Sequence, residues 1–240
     1  MKKIFPLLLL SLTLTGCNFS FFAPKEQETT NKDEKEDTEN HDWIISYDDY
    51  GAFLGRSENN TQGFENYNYL SFEFDEFSQK DITKLNDSGT KTFAYLNIGS
   101  VETYRDYYNQ FKDITFSDYE NWEDERWVNV SNSTWQNFVI NTLAKHFKEM
   151  GAYGVYMDNV DVYTVWSEQG KNKKDLLPGI KNIIKGVNDL GLKVMVNGGS
   201  EFFDDMIDSN DKIIDSVFAY HQEEVFSLIE DYDNDGLLIQ

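Results

Sequence analysis

Short apolar runs alternate with helix-like patterns along the chain, and this alternation is the feature that most constrains its fold. The runs are apolar on both faces of a possible strand, which is typical of a parallel sheet covered by helices. They occupy residues 43–47, 68–74, 91–99, 154–160, 192–199 and 215–226. Strand, helix and strand in this order predict either an open doubly wound sheet or a barrel.

Two helices between the later runs are predicted by apolar residues at helical spacing. The first has Ser133 as its candidate N-cap and ends at Gly151. Its predicted apolar face consists of Trp135, Phe138, Val139, Thr142, Leu143 and Phe147. The second carries Ile180, Ile183, Ile184, Val187 and Leu190 and ends at Gly191. No G-x-G-x-x-G motif follows a predicted strand, which removes the main argument for a dinucleotide-binding sheet.

Polar side chains end four of the predicted strands: Asn97, Asp158, Asn197 and Glu223. In a parallel barrel the carboxyl ends of the strands meet at one mouth, where active sites are built. Alternate residues of a strand share a face, so Tyr156 points with Asp158, and His221 points with Glu223. Asp161 is out of phase with this pattern and is assigned to the following loop. We expect His221 to be a hydrogen-bonded pocket residue, and we predict no metal site.

Two carboxylates on different strands, Asp158 and Glu223, favour glycoside hydrolysis, which needs one protonated and one ionised carboxyl group. Aromatic residues that could stack on sugar rings are Tyr47, Tyr95, Tyr104, Trp122, Trp127, Tyr156, Tyr163 and Trp166. A single carboxylate in such a position is more often a helix cap or a surface charge, and a single aromatic more often belongs to the core. The interpretation therefore depends on the two acids occurring together.

The N-terminal segment "MKKIFPLLLLSLTLTGC" has two lysines, a short apolar stretch and small residues before Cys17. This pattern predicts a secretory signal over residues 1–16, and its ending resembles a bacterial lipobox with Cys17 as the lipid attachment site. Residues 17–42 are predicted to form the lipidated cysteine and a disordered acidic linker, because their charged part can bury little apolar surface. Residues 43–240 are then the barrel domain, held at the extracellular face of the cell membrane.

The chain has 43 acidic and 21 basic residues, for a formal net charge of −22. Such a charge repels nucleic acid and anionic lipid headgroups and favours neutral or cationic partners. The acidity is equally well explained as a means of keeping the protein soluble, so it does not identify a partner by itself. We expect a monomer with a polysaccharide partner, no nucleic acid, and membrane contact through the N-terminal lipid.

Five segments of the chain resemble the secreted endo-α-1,4-polygalactosaminidase-like proteins of glycoside hydrolase family 114. The segments are "KTFAYLNIGSVETYRDYY", "YENWEDERWVNVSNSTWQNFV", "GAYGVYMDNVDVY", "KVMVNGGSEF" and "HQEEVFSLI". The resemblance covers essentially all of residues 43–240. It implies a TIM-type (β/α)8 barrel that cleaves α-1,4-linked galactosamine polymers without a metal or organic cofactor. It also implies that Asp158 is the catalytic aspartate and Glu223 the catalytic glutamate.

The same resemblance implies further substrate-pocket residues at Tyr95, Asn97, Arg105, Asp161 and Asn197. To these we add Tyr156 and His221, which share strand faces with the two acids. In many relatives an aspartate follows the second strand, whereas this chain has Glu73 at that place. Glutamate is one methylene longer, and we keep Glu73 as a predicted pocket residue.

Only about six βα units are visible, whereas a closed barrel needs eight. The chain is therefore expected to be either a fragment of a longer protein or a shortened and inactive one, and the sequence does not choose between them. Two functions stay open. The first is a membrane-anchored glycoside hydrolase in which Glu223 is the general acid, because Val225 and Phe226 would desolvate it. The second is a non-catalytic lipid-anchored protein, an inactive barrel that binds carbohydrate or another solute.

Overall fold

The computed structural model describes residues 50–54, 61–120 and 122–222, together with the backbone of two short strands at 228–229 and 238–239. Cys17, Glu223, the predicted linker and the predicted first strand at 43–47 lie outside these ranges. No helix within the described residues is both long enough and apolar enough to cross a membrane.

Strands and helices alternate along most of the described chain. The strands are β1 (Tyr50–Phe53), β2 (Tyr69–Phe72), β3 (Lys91–Asn97), β4 (Ser100–Glu102), β5 (Thr115–Tyr119), β6 (Trp122–Val128), β7 (Gly154–Asp158), β8 (Lys193–Asn197), β9 (Ala219–His221), β10 (Leu228–Ile229) and β11 (Leu238–Ile239). The helices are α1 (Gln79–Asp87), α2 (Tyr108–Phe111), α3 (Ser133–Phe138), α4 (Lys145–Met150), α5 (Val162–Glu168), α6 (Leu177–Asp189) and α7 (Ser200–Asp208).

Six of the strands form one parallel sheet in the order β1-β2-β3-β7-β8-β9. Five of the six predicted runs contain one of these strands. The sixth predicted run begins too early, because Lys212–Ser216 forms a 3-10 turn and only Ala219–His221 is a strand within the described part of that run. Strand β1 was not predicted, since it has four residues and a glycine, which weakens any hydrophobic pattern.

The first predicted helix is present, but its start and its buried face differ from the prediction. Its N-cap is Asn132, whose side-chain oxygen accepts hydrogen bonds from the backbone N–H groups of Thr134 (2.9 Å) and Trp135 (3.2 Å). Between α3 and α4, residues Val139–Ala144 form a π-helical segment. A π turn adds one residue to the helical repeat. The next buried residue after Val139 is therefore Ala144, and Thr142, which was expected on the apolar face, is exposed.

The core has two layers, one on each face of the parallel sheet. Residues such as Val155 and Met157 pack against the helices, whereas the inner face carries Tyr69, Phe93, Tyr156 and Met195. On the inner face the rings of Tyr50 in β1 and His221 in β9 lie 5.1 Å apart, although these strands are at opposite edges of the sheet. The sheet is therefore curled around its inner side chains, which confirms the predicted fold class as a partial (β/α) barrel.

A three-stranded antiparallel sheet, ordered β4-β6-β5, is inserted between β3 and α3. The resemblance segments cover β4 and β6 but not residues 115–118 of β5, and the sequence pattern does not predict a sheet here. Its first strand begins three residues after β3 ends, so the insert stands at the carboxyl end of the parallel sheet. The backbone N–H of Val128 donates to the carbonyl of Gly99 over 2.9 Å, which joins the insert to this end of the barrel.

Candidate active site

Asp158 is the last residue of β7, and its carboxylate accepts three hydrogen bonds from neutral donors within the described part of the chain. Oδ2 accepts from the Tyr95 hydroxyl at 2.8 Å, and Oδ1 accepts from Nδ2 of Asn197 at 3.1 Å and from the backbone N–H of Asn159 at 3.0 Å. Burial, followed by the charge of Asp158, raises the pKa of Tyr95, so its hydroxyl stays protonated and donates. The neighbouring strands β3 and β8 thus orient the carboxylate from two sides.

Asn197 is itself held in one orientation by two residues of the inner face. Its Oδ1 accepts a hydrogen bond from the Tyr156 hydroxyl at 2.5 Å, which turns Nδ2 toward Asp158. Nδ1 of His221 lies 2.5 Å from the Tyr156 oxygen and 3.0 Å from Oδ1 of Asn197. Burial lowers the pKa of His221 and favours the neutral ring, which can donate to both atoms if Nδ1 carries the proton. The structure therefore brings Tyr156, Asn197 and His221 together beneath Asp158.

The turn after Asp158 is strained and tightly packed. Asn159 has a left-handed backbone with φ of 61°, which is uncommon for a residue other than glycine. Its Nδ2 donates to Oδ1 of Asn97 (3.1 Å) and to Oγ of Ser100 (3.3 Å), and its Oδ1 accepts from the Tyr119 hydroxyl (3.1 Å). A Cβ atom at Gly99 would lie 2.0 Å from the Asn159 carbonyl oxygen, so only glycine allows this approach. Such strain is common beside functional residues.

Asp161 occupies the N-cap position of α5, in the loop where the sequence predicts it. Its side chain makes no capping hydrogen bond. Burial raises the pKa of Asp161, and the negative charges of Asp158 and Glu201 add to this effect. Asp161 therefore lies close enough to Asp158 to interact with it electrostatically.

Glu73 and Arg105 form an ion pair with two further acids. The Arg105 guanidinium lies 3.0 Å from Glu73, 3.0 Å from Glu102 and 3.3 Å from Asp75. Burial raises the pKa of Glu73 to about 7 and outweighs the opposite effect of Arg105; the charge of Glu102 adds to the rise. The Glu102 side chain is 2% exposed, and its Oε2 has no hydrogen-bond partner among the described residues. Arg105 therefore balances only part of the negative charge of this group.

Glu125 of β6 is a site residue that the sequence reasoning missed. It is the direct cross-strand neighbour of Glu102 in β4. Its Oε2 accepts hydrogen bonds from the Ser100 hydroxyl at 2.5 Å and from Nδ2 of Asn97 at 3.2 Å. Burial raises the pKa of Glu125 to about 7, and the charges of Glu102 and Asp158 add to the rise. Asn97 thus contacts this acid and is also the register partner of Asp158 in β7.

A signal for Glu125 exists in the sequence. In "WEDERWV" the residues Glu125 and Trp127 alternate with Asp124 and Arg126, as in a strand with two different faces. That pattern predicts β6, but not its partner strand, so the pairing of Glu102 with Glu125 could not be read from it.

The predicted aromatic residues divide between surface and core. Tyr104 and Trp122 are exposed, with 64% and 44% of their surface accessible. Trp127 stacks on Tyr119 with ring centroids 4.2 Å apart, and Tyr163 is buried in the core. Trp166 packs edge-on against Phe116, and Tyr47 lies outside the described residues. Among the described aromatic residues, Tyr104 therefore offers the most open ring surface.

Together, the curled parallel sheet and the polar side chains at its carboxyl end define a (β/α)-barrel protein with a carboxylate-centred site. The chain belongs to Glycoside-hydrolase family GH114, whose family model matches residues 24–234.

Solved structures with the same fold include a glycoside hydrolase domain and a protein solved with a bound sugar. The glycoside hydrolase domain of PelA from Pseudomonas aeruginosa matches 80% of this chain and 72% of its own, with a TM-score of 0.66 and 13% sequence identity. Ega3 from Aspergillus fumigatus, solved in complex with galactosamine, matches 73% of this chain and 66% of its own, with a TM-score of 0.62 and 19% identity. At these identities the two structures support the fold alone.

Two curated proteins are similar in sequence. An uncharacterized protein of Thermotoga maritima is 27% identical over 143 residues, which are 53% of this chain and 43% of that protein. The protein MJ1477 of Methanocaldococcus jannaschii is 25% identical over 164 residues, which are 63% of this chain and 46% of that protein. The match with this chain thus spans less than half the length of either relative.

Proposed function

We propose that this chain is a glycoside hydrolase that cleaves α-1,4-linked galactosamine-type polysaccharide with two carboxyl groups, Asp158 and Glu223. The observation that carries the proposal is the placement of Asp158. Its carboxylate ends a barrel strand and accepts hydrogen bonds from Tyr95, Asn197 and the Asn159 backbone. Donors around a carboxylate favour its ionised form, which suits a nucleophile or a base that activates water.

In this proposal Glu223 is the general acid that protonates the leaving oxygen. It follows His221 by two residues, and His221 contacts Tyr156 and Asn197 beneath Asp158. The galactosamine preference rests on membership of the family and on the solved complex of Ega3 with galactosamine. A cationic amino-sugar polymer would also be attracted by a chain whose formal net charge is −22.

We further propose that the protein is anchored by lipid at Cys17 to the extracellular face of the membrane. The support is the sequence alone, in which a short apolar stretch and "LTG" precede the one cysteine of the chain. Labelling cells with a radioactive fatty acid tests this anchor: the chain should incorporate label, and the Cys17→Ala variant should not.

The test of hydrolysis is an assay for new reducing ends on α-1,4-linked polygalactosamine with the full chain. The parent should release reducing ends, and Asp158→Asn should lower the rate by about a thousandfold or more, as expected for loss of a group that acts in the transition state. Asp113→Asn is the matched control, because Asp113 is exposed on a 3-10 turn, and it should retain the parent rate. A folded parent that binds the polymer without cutting it would replace this proposal with the non-catalytic binding protein.

A further inference from the structure

Two residues other than glycine in the described part of the chain have a left-handed backbone, Asn159 with φ of 61° and Asn210 with φ of 51°. Asn210 needs no special explanation, because it lies just after the C-terminal end of α7, where many helices end with a residue in this conformation. Asn159 follows a strand instead, and it is 6% exposed. The conformation of Asn159 therefore needs a reason other than the end of a helix.

The antiparallel insert and the turn that leads into it contact Asn159 at three points. The Tyr119 hydroxyl at the end of β5 donates to Oδ1 of Asn159 over 3.1 Å, and Oγ of Ser100 at the start of β4 accepts from Nδ2 over 3.3 Å. Gly99, whose carbonyl accepts from the backbone N–H of Val128 in β6, lies so close to the Asn159 carbonyl that a Cβ has no room there. The insert therefore holds both the side chain and the backbone of Asn159.

The parallel sheet holds the same turn from its other sides. Nδ2 of Asn159 also donates to Oδ1 of Asn97, the last residue of β3, over 3.1 Å. Gly199 follows β8 and lies against the side chain of Val160, again without room for a Cβ. The backbone that follows β7 is thus enclosed by segments from β3, β8 and the insert, which leaves it little room for another conformation.

This conformation supplies a hydrogen-bond donor to the carboxylate of Asp158. The backbone N–H of Asn159 lies 3.0 Å from Oδ1 of Asp158, the oxygen that also accepts from Nδ2 of Asn197. Because this N–H belongs to the main chain, its direction depends on the backbone conformation of the turn and not on a side-chain rotamer. A different turn would move the donor and change the orientation of the carboxylate.

We propose that Asn159 is a positioning residue for hydrolysis: its left-handed backbone, held by the insert, fixes the N–H that orients the Asp158 carboxylate. The inference rests on the proposed function, since it takes Asp158 as a reacting group. It also gives the insert a part in the reaction, because Tyr119 and Ser100 act on Asp158 through Asn159. Small displacements of a reacting group are costly to the rate, so such support is worth its strain.

The first measurement does not depend on cleavage. In the full chain labelled with 13C at its aspartate carboxyl groups, NMR follows the protonation of Asp158, whose signal is assigned by its loss in Asp158→Asn. Asn159→Ala disfavours the left-handed turn and should raise the midpoint of this titration by about one pH unit, because an anion that loses a donor is protonated more easily. Tyr95, Asp161 and Glu125 also interact with this carboxylate, and they are the same in every variant.

Three further variants test the cause of the shift. Asn159→Gly allows the left-handed backbone without strain and loses only the side-chain hydrogen bonds, so it should shift the midpoint by less than half as much as Asn159→Ala. Tyr119→Phe removes one donor to Asn159 but keeps the ring that stacks on Trp127, and it should give a smaller shift in the same direction. Asn210→Ala is the matched control, because it replaces the other left-handed asparagine at an exposed position, and it should leave the midpoint unchanged.

The second measurement is the hydrolysis of α-1,4-linked polygalactosamine. Asn159→Ala should lower kcat by about tenfold to a hundredfold and change KM by less than about threefold, since a misplaced carboxylate slows the reaction without removing contacts to the sugar. Asn159→Gly should recover most of the rate. If Asn159 only stabilised the turn, Asn159→Ala would lower the thermal unfolding temperature but leave kcat per folded chain unchanged.

Three results would overturn the inference: an unchanged Asp158 midpoint in folded Asn159→Ala, equal shifts in Asn159→Ala and Asn159→Gly, or an equal shift in Asn210→Ala. If Asn159→Ala does not fold, an unchanged midpoint in Tyr119→Phe would overturn it instead. Failure of the proposed hydrolysis is distinguishable from these results. In that case the parent chain releases no reducing ends, while the NMR shifts still decide whether Asn159 orients the carboxylate.

Discussion

Two acidic groups lie at the same end of the parallel sheet, and their surroundings are opposite. Asp158 is surrounded by neutral donors from β3, β8 and its own turn. Glu102 and Glu125 stand on the insert opposite each other, and one guanidinium is shared among Glu102 and two further acids. The strands beside β7 therefore stabilise the Asp158 carboxylate, whereas the insert concentrates negative charge that the described residues leave partly unbalanced.

This difference teaches that acids at one end of a sheet can have opposite effects on stability. A carboxylate with its donors already in place needs no rearrangement when it reacts, which is the preorganisation expected of a catalytic group. Two acids at close range instead repel each other, so removal of one of their charges should have the opposite effect on stability. Three predictions on stability, in order of decreasing effect, test this contrast.

The largest effect is expected from Arg105→Met, which removes the cation from the insert group while keeping much of the side-chain volume. Arg105 is 16% exposed and its loss leaves the buried Glu102 carboxylate uncompensated, so the free energy of unfolding should fall by about 3–5 kcal/mol. Urea denaturation at neutral pH measures it.

Arg126→Met is the control for this variant, because its ion pair with Asp118 involves a carboxylate that is 87% exposed. It should cost less than about 1 kcal/mol. In a chain that already carries Glu102→Gln, the cost of Arg105→Met should shrink. Equal costs in the two backgrounds would show that Glu102 is not the charge that Arg105 balances.

A smaller effect is expected at Asp158. Tyr95→Phe removes the hydroxyl that donates to Oδ2 at 2.8 Å and should lower the free energy of unfolding by about 1–2 kcal/mol, because the carboxylate loses one of its donors. Tyr153→Phe is a suitable control, since this tyrosine also packs on the inner face. A cost for Tyr95→Phe no larger than that of the control would contradict the role given to its hydroxyl.

The smallest effect is expected from Glu125→Gln, and it should have the opposite sign. At pH 8 the loss of one of two facing negative charges should raise the free energy of unfolding by about 1 kcal/mol or less. Asp158→Asn should lower it under the same conditions, because the new amide would face the donors that now bind the carboxylate. If both variants changed the free energy of unfolding in the same direction, the contrast between Asp158 and the two insert glutamates would be wrong.

The pH dependence of stability gives a second measurement of Glu125→Gln. Folding raises the pKa of Glu73 and of Glu125 from 4.5 to about 7, so the folded chain holds protons that the unfolded chain has released. Stability from these two groups is therefore complete below pH 4.5 and is lost as the pH rises to about 7. The fall in unfolding free energy over this range should be smaller in Glu125→Gln. An unchanged slope would assign the whole effect to other groups.

Much of the barrel could be predicted because the information is local. Runs such as 91–99 and 154–160 are buried on both faces, and an apolar run in the sequence reports that burial directly. Strand β1 escaped prediction because four residues carry too little pattern. The π segment at Val139–Ala144 was not predicted either. An extra residue in one turn shifts the apolar repeat along the helix, and no residue type in the sequence indicates that shift.

The candidate site also has one part that the sequence predicts and one part that it does not. Asp158, Asn97 and Asn197 follow apolar runs, so their common position at strand ends is visible in the sequence. The role of Ser100 and Glu125 is not, because their contacts depend on how β4 and β6 pair and on where the insert stands. The pairing of Glu73 with Arg105 joins residues 32 positions apart and likewise has no local signal.

By itself, the sequence determined the alternation of strands and helices, the family resemblance that implies a barrel, and the residues that end the strands, since each of these is written in periodicity or in ordered local motifs. The tertiary structure alone decided that Asn197 is turned by Tyr156 and His221, that Gly99 brings Asn159 against β3, and that Glu102 faces Glu125. The physical reason is that hydrogen-bond partners and cross-strand neighbours are set by register and packing between distant segments, which no short stretch of sequence encodes.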